Sequence, residues 1–141
     1  MTAQLTPSDP RVTVGGLLYF GRMVDKIRKH ARGGLRADFH ANLGKGMDAR
    51  MCNFLHVGYE ALKAEVLAGA TDAQALEWCY AHGHRLSDDD IVIWNDFLAK
   101  RGDRDASTPI LEKYKAEAGF ASRTDVRTFL EFWAIDEGRT P

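Results

Sequence analysis

The chain has 141 residues, 45% of them hydrophobic and 28% charged, which is the composition of a folded globular protein and argues against disorder. Its net charge of −1 argues against binding a polyanion by bulk electrostatics. No stretch approaches the ~20 apolar residues of a membrane span, and the amino terminus lacks the basic start of a secretory signal, so we expect a cytoplasmic protein.

The charge is divided unevenly along the chain. Residues 1–50 hold 9 Lys and Arg against 4 Asp and Glu, a net charge of +5. Residues 51–141 hold 10 against 16, a net charge of −6. This asymmetry predicts a basic face and an acidic face, provided that the two halves do not interleave in space.

The amino-terminal region predicts an arm followed by a helix. Residues 1–14 are polar and contain two of the four prolines, so we expect an extended arm, with 15–141 forming a single all-helical domain. From Leu17 the pattern becomes helical, because apolar residues recur at spacings of four, three and four. Those residues are Phe20, Val24, Ile27 and Ala31. The Gly33-Gly34 pair should end this helix, since glycine readily adopts left-handed backbone angles.

The rest of the chain predicts six further helices after an irregular loop at 35–46, which has room for a short helical turn. Helical spacing and glycine stops place them at about 47–57, 59–68, 71–83, 87–102, 107–119 and 122–138. The expected amino-terminal caps are Thr71 with Gln74, Ser87, Ser107 or Thr108, and Ser122 or Thr124. No segment alternates like a strand, so we predict an all-α, irregular bundle of about seven short helices.

Four stretches carry a resemblance to a known family: GGLLYFGRMVDKIRKHARGGL, FHANLGKGMDARMCNFL, ALEWCYAHG and IVIWNDFLAKRG. They resemble a bacterial family of domains of unknown function, number 5069. The family's Pro-Arg-Met-x-Asp-Lys run is matched here by Arg22, Met23, Asp25 and Lys26, while Gly21 replaces the proline. The resemblance covers almost the whole chain and implies a stand-alone single-domain protein. It brings no activity, cofactor or catalytic residue.

The first candidate site is the stretch GRMVDKIRKHARGG, in which bases surround a single acid, Asp25. On a helix Asp25 faces Arg22, Arg28 and Lys29 and stands beside Lys26. One interpretation is a solvated charged face whose ion pairs contribute little stability. The other is an anion site, in which Asp25 orients Arg22 or Arg28 to grip a carboxylate or phosphate with its guanidinium fork.

The second candidate is the loop FHANLGKGMDAR at 39–50, which offers His40, Asn42 and Arg50 to a ligand. His40 is its side chain able to exchange a proton near neutral pH, so an enzyme could use it as general acid or base with Asp25 or Asp48. The alternative is a plain connector in which Asp48 caps a helix or lies on the surface.

Two Cys and His pairs form a third candidate. Cys52 with His56 and Cys79 with His82 lie at helical spacings of four and three, so together they could supply four zinc ligands. The competing interpretation favours two reduced thiols in the core and a histidine that completes a helix end. All-helical cores of this size fold without metal, and we expect no cofactor.

Trp94 and Asn95 are the fourth candidate, because helical spacing places the Asn95 amide beside an apolar face where it needs a partner. They form either an internal tie or part of a pocket near the basic helix. Taken together, these features favour a protein that binds a small anionic ligand. An enzyme using His40 comes next, then a protein-interaction module, whereas the acidic half makes nucleic-acid binding the least favoured function. The oligomeric state is open.

Overall fold

The structure is a computed structural model that describes residues 4–141, and it confirms the all-α class. Within those residues there are seven α-helices, one 3₁₀ helix and no strand beyond two isolated β-bridges. The helices are α1 (Phe20–Ala31), α2 (Met47–Leu55), α3 (Tyr59–Leu67), α4 (Asp72–His82), α5 (Asp88–Lys100), α6 (Thr108–Glu117) and α7 (Phe129–Asp136); the 3₁₀ helix (Ala37–Asn42) lies between α1 and α2. None of the described helices is long and apolar enough to cross a bilayer.

The chain divides into two compact units, and the division falls between Ile91 and Val92, inside α5. The first unit is built around α1, which packs against α3 and α4, while α2 packs against α3. In the second unit α6 packs against α7. The expected division into an extended arm and one helical domain stays a prediction.

Helix α1 supplies the centre of the first unit because one of its faces is almost wholly apolar. Phe20, Val24 and Ile27 are buried as their spacing predicts, whereas Ala31 is exposed at the last turn. The helix ends at the glycine pair, where Gly33 has φ +75° and the two glycine amides donate to carbonyls of the last turn. The apolar period and the stop signal were therefore both readable from the sequence.

Residues 4–14 lie against the first unit. The Leu5 amide donates to the Gly34 carbonyl at 2.7 Å, and the Leu5 carbonyl accepts from the Arg36 amide at 2.9 Å. The Ser8 amide donates to the Asp25 carboxylate at 2.8 Å. These bonds satisfy backbone groups of a segment that has no helix of its own, and they attach it to the middle of α1 and to the residues that follow the end of this helix.

The helix caps agree with the sequence in α4 and α5. Thr71 and Gln74 form a reciprocal capping box, and Ser87 forms the equivalent pair with Asp90. Ser107 is the residue before α6, yet its side chain makes no capping hydrogen bond. A cap therefore needs the right backbone geometry as well as the right residue type.

The last helix begins later than the sequence indicated. Neither Ser122 nor Thr124 caps α7, which begins at Phe129 behind a capping box of Thr128 and Glu131. Val126 is buried but lies outside the helix, and its carbonyl accepts a hydrogen bond from the Lys115 ammonium at 2.9 Å. Thr-Phe-Leu-Glu at 128–131 is itself a capping-box sequence, so the sequence also contains the signal for this later start.

Aromatic side chains fill the core of the second unit. Leu111, Val126, Phe129 and Phe132 form its buried centre, and the Arg101 guanidinium lies 4.1 Å from the centre of the Phe129 ring. In the first unit, Leu62 and Val66 of α3 are buried. Leu67, the last residue of this helix, is 48% exposed although it is apolar.

Candidate functional site

Three basic side chains form one stripe along α1, because residues four apart on a helix lie above one another. This basic stripe consists of Arg22, Lys26 and His30. Arg22 is only 2% exposed and Lys26 only 6%, so the interpretation as a solvated charged face does not describe them. Each member of the stripe contacts a residue that follows α1 in the sequence. Residues 36–46 are called the covering segment below.

The middle of the stripe is held by a buried ion pair. The Lys26 ammonium lies 2.7 Å from a carboxylate oxygen of Asp48, which is fully buried at the start of α2. The Tyr19 hydroxyl donates to the same oxygen at 2.6 Å and accepts from Lys26 at 3.0 Å. The other Asp48 oxygen accepts from the Gly44 amide at 3.1 Å. A buried charge is tolerated because every one of these contacts compensates it.

The negative charge of Asp48 changes the pKa values of two neighbouring side chains. Burial first, and the charge of Asp48 second, raise the pKa of the Cys52 thiol to about 12. The same two causes raise the pKa of the Tyr59 hydroxyl above its ordinary value. Gly44, with φ +74°, brings the loop so close to the Tyr59 ring that an added Cβ would lie 2.8 Å from it. The Asp48 carboxylate thus occupies a closely packed pocket of low polarity.

Arg22 and Arg36 share one aromatic ring. The guanidinium carbon of Arg22 lies 5.7 Å from the centre of the Phe39 ring, and that of Arg36 lies 4.9 Å from it. Arg22 also donates to the Ser8 carbonyl at 3.1 Å, and Arg36 pairs with Asp38 at 2.6 Å. Cation–π contacts of this kind attract positive charge to a ring, so Phe39 concentrates two guanidinium groups at one place.

His30 and His40 meet at the end of the stripe. Their rings lie edge to face with centres 4.8 Å apart, and both side chains are exposed. The Nε2 atom of His40 lies 2.8 Å from the Leu35 carbonyl. Because a carbonyl only accepts, Nε2 carries a proton and donates this hydrogen bond.

The other bases of α1 act as ties to neighbouring segments. Asp25 pairs with Lys29 at 2.7 Å, as the spacing of four predicts. Arg28 instead reaches α4, where it pairs with Asp72 at 2.6 Å and donates to the Ala70 carbonyl. The idea that Asp25 orients Arg28 therefore loses its support, because Arg28 is committed to another carboxylate.

The remaining predicted ligand residues are spread more widely. Asn42 and Arg50 are exposed on the 3₁₀ helix and on α2. Trp94 is buried beside Phe97, with ring centres 5.7 Å apart, and Asn95 is half-buried on the same helix. Trp94 and Asn95 belong to the second unit, so a pocket that joins them to the basic helix stays a prediction.

The Cys and His pairs do not converge. Both thiols are buried and free, and burial raises the pKa of Cys79 to about 12, as it does for Cys52. His82 stacks on Trp78 with ring centres 4.6 Å apart, while His56 lies beside His84. In the described residues no group of three or more His, Cys, Asp and Glu side chains could hold a metal ion.

Sequence reasoning missed four residues in and around the site. Phe39 and Arg36 carry no motif, because only the folded chain brings their side chains together with Arg22. His30 could have been found, since it stands four and eight residues after Lys26 and Arg22 and so continues their stripe. Tyr19 precedes α1 with φ +77°, an uncommon angle for a residue other than glycine, which no sequence pattern predicts.

A known protein family matches almost all of this chain. The model of the family described as domain of unknown function (DUF5069) matches residues 4–139, nearly the whole chain, and the chain belongs to this family. No curated protein matches it. The basic stripe and the covering segment both fall inside the matched region.

Proposed function

We propose that this member of the family binds a small anion, through a phosphate or carboxylate group, between the basic stripe and the covering segment. The site would comprise Arg22, His30, Arg36 and His40 around the Phe39 ring, a set called the basic cluster below. The observation that carries the proposal is the gathering of two guanidinium groups on Phe39 next to a pair of histidines. Guanidinium and imidazole are the side chains that proteins use most readily for oxyanions.

The charge balance of this region supports the proposal. Residues 20–50 carry eight Lys and Arg against three Asp, a net charge of +5. Each of the three acids already has a basic partner, since Asp25 pairs with Lys29, Asp38 with Arg36 and Asp48 with Lys26. An anionic ligand would reduce the excess of positive charge, and its attraction to the site would weaken as salt is added.

The members of the basic cluster would have different roles. His30 and His40 are exposed, so these side chains can touch a ligand directly. Arg36 is partly exposed and bonds to Asp38 through Nε and Nη2, so it would contact a ligand through its remaining N–H groups. Arg22 is too deeply buried in this conformation to be gripped from solvent, and it would contribute mainly through its charge. The Leu35 carbonyl accepts from Nε2 of His40, so this imidazole would donate to an anion from Nδ1 in its doubly protonated form.

Calorimetric titration with inorganic phosphate, citrate and nucleoside monophosphates tests this function, supported by thermal unfolding. At 100 times its Kd a ligand that binds the native state adds about 2.7 kcal/mol to the free energy of unfolding. Arg36→Ala should abolish the effect. The matched control is Arg85→Ala, because Arg85 also pairs with an acid, Glu77, and lies over a ring, that of Tyr80.

The result is decisive in either direction. A saturable heat in the wild type that persists in Arg85→Ala and is lost in Arg36→Ala supports the site. Equal binding by both variants would move the anion elsewhere on the protein, and no binding of any of these anions at low ionic strength would remove the proposed function.

A second candidate function is an enzyme with His40 as general base. The observation in its favour is the Leu35 carbonyl, which orients the imidazole as a carboxylate does in other sites. Asp48 is occupied by Lys26 and Tyr19, so the partnership of His40 with that acid loses its support. A hydrolysis screen over phosphate and carboxylate esters addresses it, and turnover that survives His40→Ala would eliminate it.

A further inference from the structure

We infer that the covering segment, residues 36–46, is a lid that opens to admit the anion to Arg22 and closes over it. This inference rests on the proposed function and adds to it a conformational step that controls access. In the structure the lid is closed, because the Phe39 ring lies against the Arg22 guanidinium and His40 lies against His30.

The covering segment is held weakly between two firm anchors. At its start Leu35 is 1% exposed, and the backbone on either side of it bonds to Leu5. After its end Asp48 is fully buried in the network with Lys26. Between these anchors the 3₁₀ helix has no buried residue. Segments with little buried apolar surface open at a small cost in free energy, whereas the anchors hold the ends in place.

The carboxyl-terminal hinge is supplied by two glycines. Gly44 and Gly46 have φ values of +74° and +54°, a region that other residues adopt only with strain. A Cβ at Gly46 would meet nothing within 4 Å, so the space around this residue leaves the backbone free to turn. Because the Gly44 amide bonds to Asp48 and Gly44 packs against Tyr59, opening must break that bond, and Gly46 is the less restrained of the two hinge residues.

Opening changes the surroundings of Arg22 most. With Phe39 lifted away, the guanidinium becomes reachable and can exchange present hydrogen bonds, such as that to the Ser8 carbonyl, for bonds to a phosphate or carboxylate. Closing then brings Arg36 and His40 onto the same anion from the other side. Excluding water strengthens these contacts, because charges attract each other more strongly where water cannot screen them. The contact between Phe39 and Arg22 is thus the resting state that the ligand replaces.

Hydrogen exchange of the full-length protein, followed by mass spectrometry, tests the lid. Without ligand, the amides of the covering segment should exchange much faster than those of α1 and α3. Where exchange requires opening and the anion binds the closed form, phosphate or citrate at 100 times its Kd should slow it about 100-fold.

Two variants sharpen the test. Phe39→Ala should speed exchange in the covering segment and leave α3 unchanged. Gly46→Ala should alter the exchange of the covering segment and the rate of anion association, because it strains the hinge without a clash. Its matched control is Gly69→Ala, at another glycine with positive φ and nothing near an added Cβ. That control should affect only the surroundings of residue 69.

The outcomes separate the lid from the function it serves. Anion binding together with a covering segment that already exchanges as slowly as α1, or whose exchange the anion leaves unchanged, would overturn the lid and retain the site. Fast exchange without binding of any anion would overturn both. Fast exchange that a bound anion suppresses, with faster opening in Phe39→Ala, supports the inference.

Discussion

The ion pair between Lys26 and Asp48 gives the sharpest prediction about stability. Its nitrogen and oxygen atoms are 2.7 Å apart, and the two side chains are 7% and 0% exposed. The same helix offers an almost matched pair, Lys29 with Asp25, at the same distance but with side chains 21% and 24% exposed. Changing each lysine to methionine therefore removes ion pairs of equal length, one of them buried and the other partly exposed.

The expected losses differ because of what each change leaves behind. Lys26→Met leaves the Asp48 carboxylate buried with only Tyr19 and Gly44 as partners, and breaking such a pair costs about 3–5 kcal/mol. Lys29→Met leaves a carboxylate that water can reach, so the cost should be about 1 kcal/mol or less. A domain of this kind has roughly 5–15 kcal/mol of total stability, so Lys26→Met should be strongly weakened yet still measurable.

Urea unfolding, followed by circular dichroism, provides the measurement. With a slope of about 2 kcal/mol per molar urea, Lys26→Met should lower the midpoint by roughly 2 M, and Lys29→Met by roughly 0.5 M or less. The double variant Lys26→Met with Asp48→Asn should recover much of the loss, because the amide retains an acceptor for Tyr19 and carries no charge.

The comparison between the two lysines can refute the reasoning. If both single variants lose the same free energy of unfolding, burial does not make the loss of an ion pair more costly in this protein. If Asp48→Asn fails to rescue Lys26→Met, the loss comes from packing of the lysine stem and not from an uncompensated charge.

Three further predictions concern caps, thiols and packing. Thr71→Ala and Thr128→Ala should each cost about 1 kcal/mol in urea unfolding, whereas Ser107→Ala should cost almost nothing, because its side chain caps no amide. Cys52 and Cys79 should resist alkylation in the native protein at pH 8 and react on unfolding. Burial raises the pKa of both thiols to about 12 in the folded protein. The stability that they contribute is therefore fully present below their unfolded pKa near 9 and is lost as the pH rises toward 12. A double Cys→Ala variant should lose less stability over this pH range. Gly83→Ala should cost about 1–3 kcal/mol, since its Cβ would collide with the Leu55 carbonyl, while Gly58→Ala meets open space and should cost a few tenths. Equal losses within either matched set, or fast alkylation of the folded protein, would contradict these expectations.

The candidate site was only partly readable from the sequence. Helical spacing and a glycine-rich loop singled out Arg22, Lys26 and His40, and their role in a ligand site stays a prediction. The partners were not readable. Asp25 had several bases within one helical turn, and the fold gave it Lys29, while Arg28 went to an acid 44 residues away.

The sequence by itself determined the helices of this protein, since apolar period, glycine stops and caps act over only a few residues. The late start of α7 shows the limit of that rule, because the residues just before Phe129 lie outside the helix and make tertiary bonds such as that between Lys115 and the Val126 carbonyl. Tertiary structure decided which positively charged side chains are buried and which residues they contact. Arg22 and Lys26 are buried because Phe39 and Asp48 fold back over α1, and a side chain's desolvation depends on chain segments far from it in sequence.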